Sequence, residues 1–196
     1  MDARVISART KDGKVPLIIL YTECGGERTK YTICEGTYRE IGCPLSGEII
    51  NEEKLNLVSA EDERRRAMIK ALSILSYTDN NEKRLYTKLL MAGFSKEAAA
   101  DSVRECVRLG YVDEKRQIRR LIEKHSAELL GPHKIACKLV SKGYSQAAVF
   151  REMESLESEG AIDFERTKAE LIQKKLPSGA SHSDKLKLLY KYGYRR

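Results

Sequence analysis

Lys88-Leu89-Leu90-Met91-Ala92-Gly93-Phe94 returns fifty residues later as Lys138-Leu139-Val140-Ser141-Lys142-Gly143-Tyr144, and again as Leu188-Leu189-Tyr190-Lys191-Tyr192-Gly193-Tyr194, with no gap needed. Outward from this stretch, Gly110 and Gly160 keep the same offset, as do Asp113 and Asp163. So do Leu72, Ile122 and Ile172, then Val112 and Ile162, Cys106 and Leu156, and the surface-type set Arg66, Arg116 and Arg166. Matches of such different chemistry at one offset mark a chain built by stacking one helical unit. This favours an extended, surface-rich molecule over an enzyme with one deep cleft.

From Ala60 the apolar period is about 3.6. Met68, Ala71, Leu72 and Leu75 share one helix face, and Leu85, Leu89 and Leu90 mark a second helix. Gly93 ends that helix at a position suited to left-handed φ. Ser95 caps a third helix with Ala99, Val103 and Cys106 inward, closed by Gly110. The second unit repeats this with Ile118, Leu121 and Ile122, then Pro132 in a first turn, Ile135 and Leu139, then Ser145, Val149, Met153 and Leu156. A third unit begins near Thr167 and reaches Gly193, where its third helix would start.

Residues 1–58 are different material. Arg4 to Ala8, Val15 to Thr22 and Thr29 to Cys34 are rich in Val, Ile, Thr and Tyr. Lys11-Asp12-Gly13-Lys14 and Cys24-Gly25-Gly26-Glu27 between them are hairpin-turn sequences. A three-stranded antiparallel sheet is expected, extended by Tyr38 to Ile41 and packed on the first helical unit. A short helix is expected from Leu45 to about Val58. The fold class is therefore mainly α, with tandem three-helix repeats of about 50 residues and a small N-terminal antiparallel sheet. The expected divisions are a β-rich extension at 1–58, repeats at 59–114 and 115–164, and an incomplete repeat at 165–196.

The net charge is +7, but residues 165–196 alone carry +6. Such a concentration faces a polyanion or an acidic protein surface, or else is a solvated lysine-rich face. No apolar run reaches the roughly 18–20 residues of a membrane span, and the N-terminus has no secretory pattern, so a cytoplasmic monomer is expected. Cys24, Cys34, Cys43, Cys106 and Cys137 contain no C-x-x-C, and the three histidines are scattered. Reduced thiols are expected and no metal or cofactor. Phosphate loops, zinc-protease motifs and nucleophile elbows are missing, which argues against an enzyme. Glu61-Asp62-Glu63 and the acidic run Glu152 to Glu159 are expected to be ordinary exposed helix faces.

The run Lys88-Leu89-x-x-Ala92-Gly93-Phe94, with Leu109-Gly110-Tyr111-Val112-Asp113, resembles the first repeat of the RecX family, regulators of the bacterial recombinase RecA. Gly131-Pro132-x-x-Ile135-x-x-Lys138-Leu139-x-x-Lys142-Gly143-Tyr144 is similar to the second. The likeness covers about residues 60–196. Departures are Tyr77-Thr78-Asp79-Asn80 in place of Arg-x-x-Ser, Lys138 where an acidic residue is usual, Asp113-Glu114 for paired aspartates, and Ile118 for an aromatic. The resemblance implies a three-helix-repeat inhibitor lodged in the groove of the RecA filament on single-stranded DNA, limiting recombination and SOS coprotease activity. The alternative is a helical-repeat protein that binds single- or double-stranded DNA directly.

Candidate contact residues follow from the charge. Lys115, Arg116, Arg119 and Arg120 form one basic cluster, with Lys134 and Lys138 following on the next helix. Lys168, Lys174, Lys175, Lys185, Lys187, Lys191, Arg195 and Arg196 form the C-terminal group. Tyr192 aligns with Ala92 and Lys142, so it is expected to be exposed and able to stack on bases, whereas Tyr190 aligns with the apolar Leu90 and Val140. Tyr194, matching Phe94 and Tyr144, is expected to pack at a helix end.

Overall fold

The computed structural model describes residues 1–13 and 15–194. Lys14, in the first expected turn, lies outside them. Two compact units are present. One comprises Met1–Thr78 with Leu85–Arg108, the other Asp79–Arg84 with the chain from Leu109 onward.

The first unit opens with strands β1 (Ala3–Lys11), β2 (Leu17–Cys24) and β3 (Glu27–Cys34). Alternation along β2 turns Ile18, Leu20 and Thr22 inward, where they meet Val5, Ile33 and Ile41. Gly25 and Gly26 join β2 to β3 with φ of +57° and +87°, the pair of positive values a tight hairpin demands. The expected extension at Tyr38 to Ile41 is instead helix α1 (Glu35–Glu40). The fourth strand is β4 (Ile49–Ile50), paired with Ala3 and Arg4, giving the order β3-β2-β1-β4. Nor does a helix begin at Leu45. Asn51 accepts the Lys54 N–H at 3.0 Å and starts helix α2, which runs unbroken over Glu52–Tyr77. The change of period near Ala60 is therefore internal to one helix, whose first turns cover the sheet with Val58.

An open edge strand would leave amide groups unpaired, and α2 deals with this through its acidic residues. Thr32 N–H donates to Asp62 Oδ1 at 2.8 Å and Cys34 N–H to Glu61 Oε1 at 2.6 Å. Glu63 accepts from Ser95 N–H and Oγ at 2.7 and 2.9 Å. The acidic triplet is thus structural rather than an ordinary exposed face, because each carboxylate satisfies a backbone donor. Helix α3 (Glu82–Met91) follows, and Ser95 then caps α4 (Lys96–Arg108) by accepting the Ala98 N–H at 3.2 Å. Cys106, buried as expected, lies 3.8 Å from the Met68 sulfur of α2.

The second unit holds α5 (Glu114–Ala127), α6 (Pro132–Ser141), α7 (Gln146–Ser158), α8 (Phe164–Lys175) and α9 (His182–Tyr192). Asp113 and Asp163 each accept the N–H three residues on at 2.9 Å, capping α5 and α8 in the same register. Ile118, Ile122, Leu139, Met153, Leu156 and Leu171 build one core. Full burial of each aliphatic chain contributes roughly 1.5–3 kcal/mol. This is a tandem helical-repeat fold with a small N-terminal antiparallel sheet.

The fifty-residue register is written into the backbone. Gly93, Gly143 and Gly193 have φ of +89°, +98° and +90°. Behind each, the following residue's N–H returns to Leu89, Leu139 or Leu189 and the glycine's own N–H to Leu90, Val140 or Tyr190. That is the paired bond pattern of a left-handed helix stop. Within the second unit these stops dock on helix starts. Asn81 Nδ2 donates to the Lys142 carbonyl at 2.9 Å, and fifty residues on, Gly131 N–H donates to the Tyr192 carbonyl at 2.8 Å. A Cβ on Gly193 would lie 2.6 Å from the Lys134 amide nitrogen.

Gly193→Ala should therefore cost more than Gly160→Ala. Both positions have positive φ, worth roughly 1–2 kcal/mol to an L-residue, but a Cβ at Gly160 meets nothing within 4 Å. Urea unfolding of the two variants measures the difference, and equal losses would show that the close approach contributes nothing.

Candidate partner-binding surface

The basic cluster at the start of α5 divides into inward and outward residues. Arg119 is half-buried and faces α7, where its guanidinium meets Glu152 Oε2 at 3.4 Å, Ser155 Oγ at 3.3 Å and both oxygens of Glu159. Glu152 is buried, and Glu159 is held at about 2, first by the Arg119 hydrogen bond and then by Ser155. The acidic run of α7 is therefore partly an internal partner for Arg119 rather than an ordinary exposed face. Arg120 pairs with Asp79 at 2.5 Å. Lys115 and Arg116 are exposed and form no ion pair among the described residues. The four line a shallow groove of about 400 Å³, but Asp113 and Glu123 line it too. Its charge is mixed.

On α6, Lys134 donates to the Lys191 carbonyl at 2.8 Å and sits 6.0 Å from the Tyr192 ring centre. Lys138 is half-buried. After α6, Tyr144 donates to Gln117 Oε1 at 2.8 Å, and Gln117 donates to the Asn80 carbonyl at 3.3 Å. Desolvation raises the Tyr144 phenol. The equivalent Tyr194 is buried beside Thr167, as its register predicts, and burial pushes it up to about 12.

Helices α8 and α9 carry the rest. Lys168 pairs with Glu165 at 3.1 Å and Lys174 with Glu170 at 2.6 Å. Lys175, Lys185, Lys187 and Lys191 are exposed and make no ion pair among the described residues. Lys168, His182, Leu186, Lys187, Leu189, Tyr190 and Tyr194 surround a groove of about 750 Å³ without an acidic residue in its lining. Arg195 and Arg196 lie outside the described residues.

The two tyrosines exchange the places expected of them. Tyr192 is half-buried, packed on the core and beneath Lys134, because the end of α9 docks on the start of α6. Tyr190 is 68% exposed. Its alignment with Leu90 and Val140 makes Tyr192 the better exposed candidate, yet Val140 is itself 41% exposed. The usable signal was the groove side of α9, which only the packing reveals. Cys24 and Cys34 are half-buried, whereas Cys43 and Cys137 are exposed; no disulfide joins any of the five cysteines.

These features define a helical-repeat protein with a basic, partly apolar surface on its last two helices. No protein-family model matches the chain. The regulatory protein RecX of Caldanaerobacter subterraneus subsp. tengcongensis is 24% identical over 168 residues, covering 84% of this chain and 82% of that protein. A crystal structure of a regulatory protein RecX superposes at a TM-score of 0.66 with 14% identity, over 96% of this chain and 91% of that one. At that identity the superposition speaks for the fold. Relative and fold together support the RecX family, and both names describe a regulatory protein rather than an enzyme. No helix among the described residues is long and apolar enough to cross a membrane.

The Arg119–Glu159 contact gives the second unit an acid signature. A carboxyl held below its ordinary 4.5 stabilises the fold above that value, and the contribution is lost as pH falls from about 4.5 to about 2. Glu159→Gln should melt below the parent chain at pH 7, by a small margin because the site is solvent-screened. The two melting temperatures should converge by pH 2. A gap that stays constant across this window would show that the ion pair does not matter.

Proposed function

We propose that this chain is a non-enzymatic regulator of RecA, an inhibitor that binds along the RecA filament on single-stranded DNA and limits recombination and SOS coprotease activity. The observation that carries the reading is the set of exposed lysines on α8 and α9 (Lys175, Lys185, Lys187 and Lys191), none of them in an ion pair among the described residues. Lys187 lines a groove that has no acidic residue in its lining. Unpaired cations of this kind are suited to a polyanionic or acidic partner, since they lose no internal contact on binding. The name of the curated relative and the repeat fold support the regulatory part of the proposal. Lys115 and Arg116 are proposed as a secondary contact. Arg119, Arg120, Lys134 and Lys174 act through internal partners instead, whereas Lys168, though paired with the exposed Glu165, also lines the groove.

The proposed working divisions are a β-rich extension at 1–58, repeats at 59–114 and 115–164, and a shorter repeat from 165. A monomer acting in the cytoplasm completes the proposal. The same lysines favour a second reading, direct binding to DNA, in which they track phosphates.

A pull-down with preformed RecA–single-strand filament, beside bare single-stranded DNA, separates the two. Capture by filament alone, with suppressed strand exchange and RecA ATP hydrolysis, supports the regulator. Capture by bare DNA with unchanged RecA activity leaves only the second reading. Changing Lys185, Lys187 and Lys191 together to Glu should weaken binding by about tenfold, from roughly 0.5 kcal/mol per exposed contact. If the contacts are to phosphates, the log–log salt slope should become shallower by about 0.7 for each one lost. The melting temperature should barely move, because all three side chains are exposed. Normal binding by this triple variant would remove the α9 lysines from the site.

A further inference from the structure

The repeat register shows what the groove between α8 and α9 lacks. In the second repeat α7 packs against α5 and α6, burying Val149, Met153 and Leu156 in the shared core. In the first, α4 packs on α2 with Ala99, Val103 and Cys106 buried at the same spacing of four and then three. Cys106 touches Met68 there. Among the described residues no helix takes that place over α8 and α9. Leu186 is accordingly 42% exposed, whereas Ala136 fifty residues earlier is 5% exposed.

The floor of the groove has also changed chemistry. The register position is Met68, which Cys106 touches, in the first repeat and the buried Ile118, in one core with Leu156, in the second, but Lys168 in the third. Lys168 lines the groove with Lys187 and His182, and it pairs with Glu165 on its own helix, which is 84% exposed and outside the lining. An occupant with a third apolar residue here would bury the Lys168 ammonium against hydrocarbon, which is costly unless the charge is paired. A carboxylate at that point would pair with it.

We infer that the α8–α9 groove docks an acidic amphipathic helix of a partner protein, apolar at two positions four apart and bearing a carboxylate three residues further on. The apolar pair would occupy the places of Val149 and Met153 against Leu186, Leu189 and Tyr190, and the carboxylate would replace Leu156 and face Lys168. Helix-in-groove recognition of this kind is read through a few anchors on one face. The inference does not depend on the partner being RecA.

The test uses the full chain and fluorescent, helix-stapled peptides with the sequence of Gln146–Ser158, in which position 156 is Leu, Glu or Lys. Anisotropy should rank Glu above Leu above Lys, with Glu about fivefold tighter than Leu, the scale of one partly exposed ion pair. Lys168→Glu should reverse the order of the Glu and Lys peptides. Leu186→Asp should weaken all three while leaving the melting temperature unchanged, since Leu186 is already exposed. Failure of every peptide to bind, or an order that Lys168→Glu leaves intact, would overturn the proposal. Sedimentation velocity supplies the other decisive result: self-association that the Glu peptide displaces would assign the groove to a second copy of this chain instead.

Discussion

The second unit depends on one joint, used twice. A helix that has just stopped at a left-handed glycine presents unpaired carbonyls, and these are received by the start of a helix from the preceding repeat. At the first joint Asn81 donates to the Lys142 carbonyl while its own Oδ1 caps the Arg84 N–H at 2.8 Å. At the second, Gly131 and His133 donate their backbone N–H groups to Tyr192 and Gly193. Opposite partial charges meet at each, the carbonyl end of one helix against the amide end of another. The glycine is needed for its φ and, at Gly193, for proximity as well. A side chain there would hold the two helix ends apart.

Much of the surface chemistry follows from that joint. Bringing the end of α9 onto α6 covers Tyr192 with Lys134 and leaves Tyr190 on the groove side of α9. It fixes Tyr194 in the core, where desolvation favours the neutral phenol. Arg119 shows the same logic within the repeat. It belongs to a basic run, but packing α7 against α5 directs it to Glu152 and Glu159, so it serves cohesion rather than recognition. Lys175, Lys185, Lys187 and Lys191 on α8 and α9 have no such opposite number among the described residues, which is why recognition is proposed there.

The sheet-bearing unit solves a different problem, the open edge of β3. Asp62 and Glu61 satisfy amide groups that would otherwise offer a template for strand addition. A buried carboxylate is tolerable because it accepts from backbone donors and, for Asp62, also from Arg66 at 2.7 Å. This ties the first turns of α2 to the sheet more specifically than apolar burial alone.

The repeat, its helix stops and its caps were legible in the sequence, because they rest on local chemistry. A glycine that must adopt positive φ, an aspartate that caps three residues on, and an apolar face at 3.6 spacing look alike wherever they recur. The hairpin at Gly25-Gly26 was legible for the same reason. The residues at Tyr38 to Ile41 and Leu45 to Val58 were not, since their state depends on Ile49–Ile50 pairing with β1 and on Asn51 starting α2. Charged residues were the least legible. The sequence counts Arg119, Lys168 and Lys185 alike, and reads Glu61 to Glu63 as any acidic helix face. Only the tertiary structure decides that Arg119 is taken up by α7 and that Glu61 and Asp62 cap a strand edge, because these contacts join residues about thirty to forty positions apart. By itself the sequence determined the helical repeat; the packing of one helix end on another helix start decided which side chains stayed exposed.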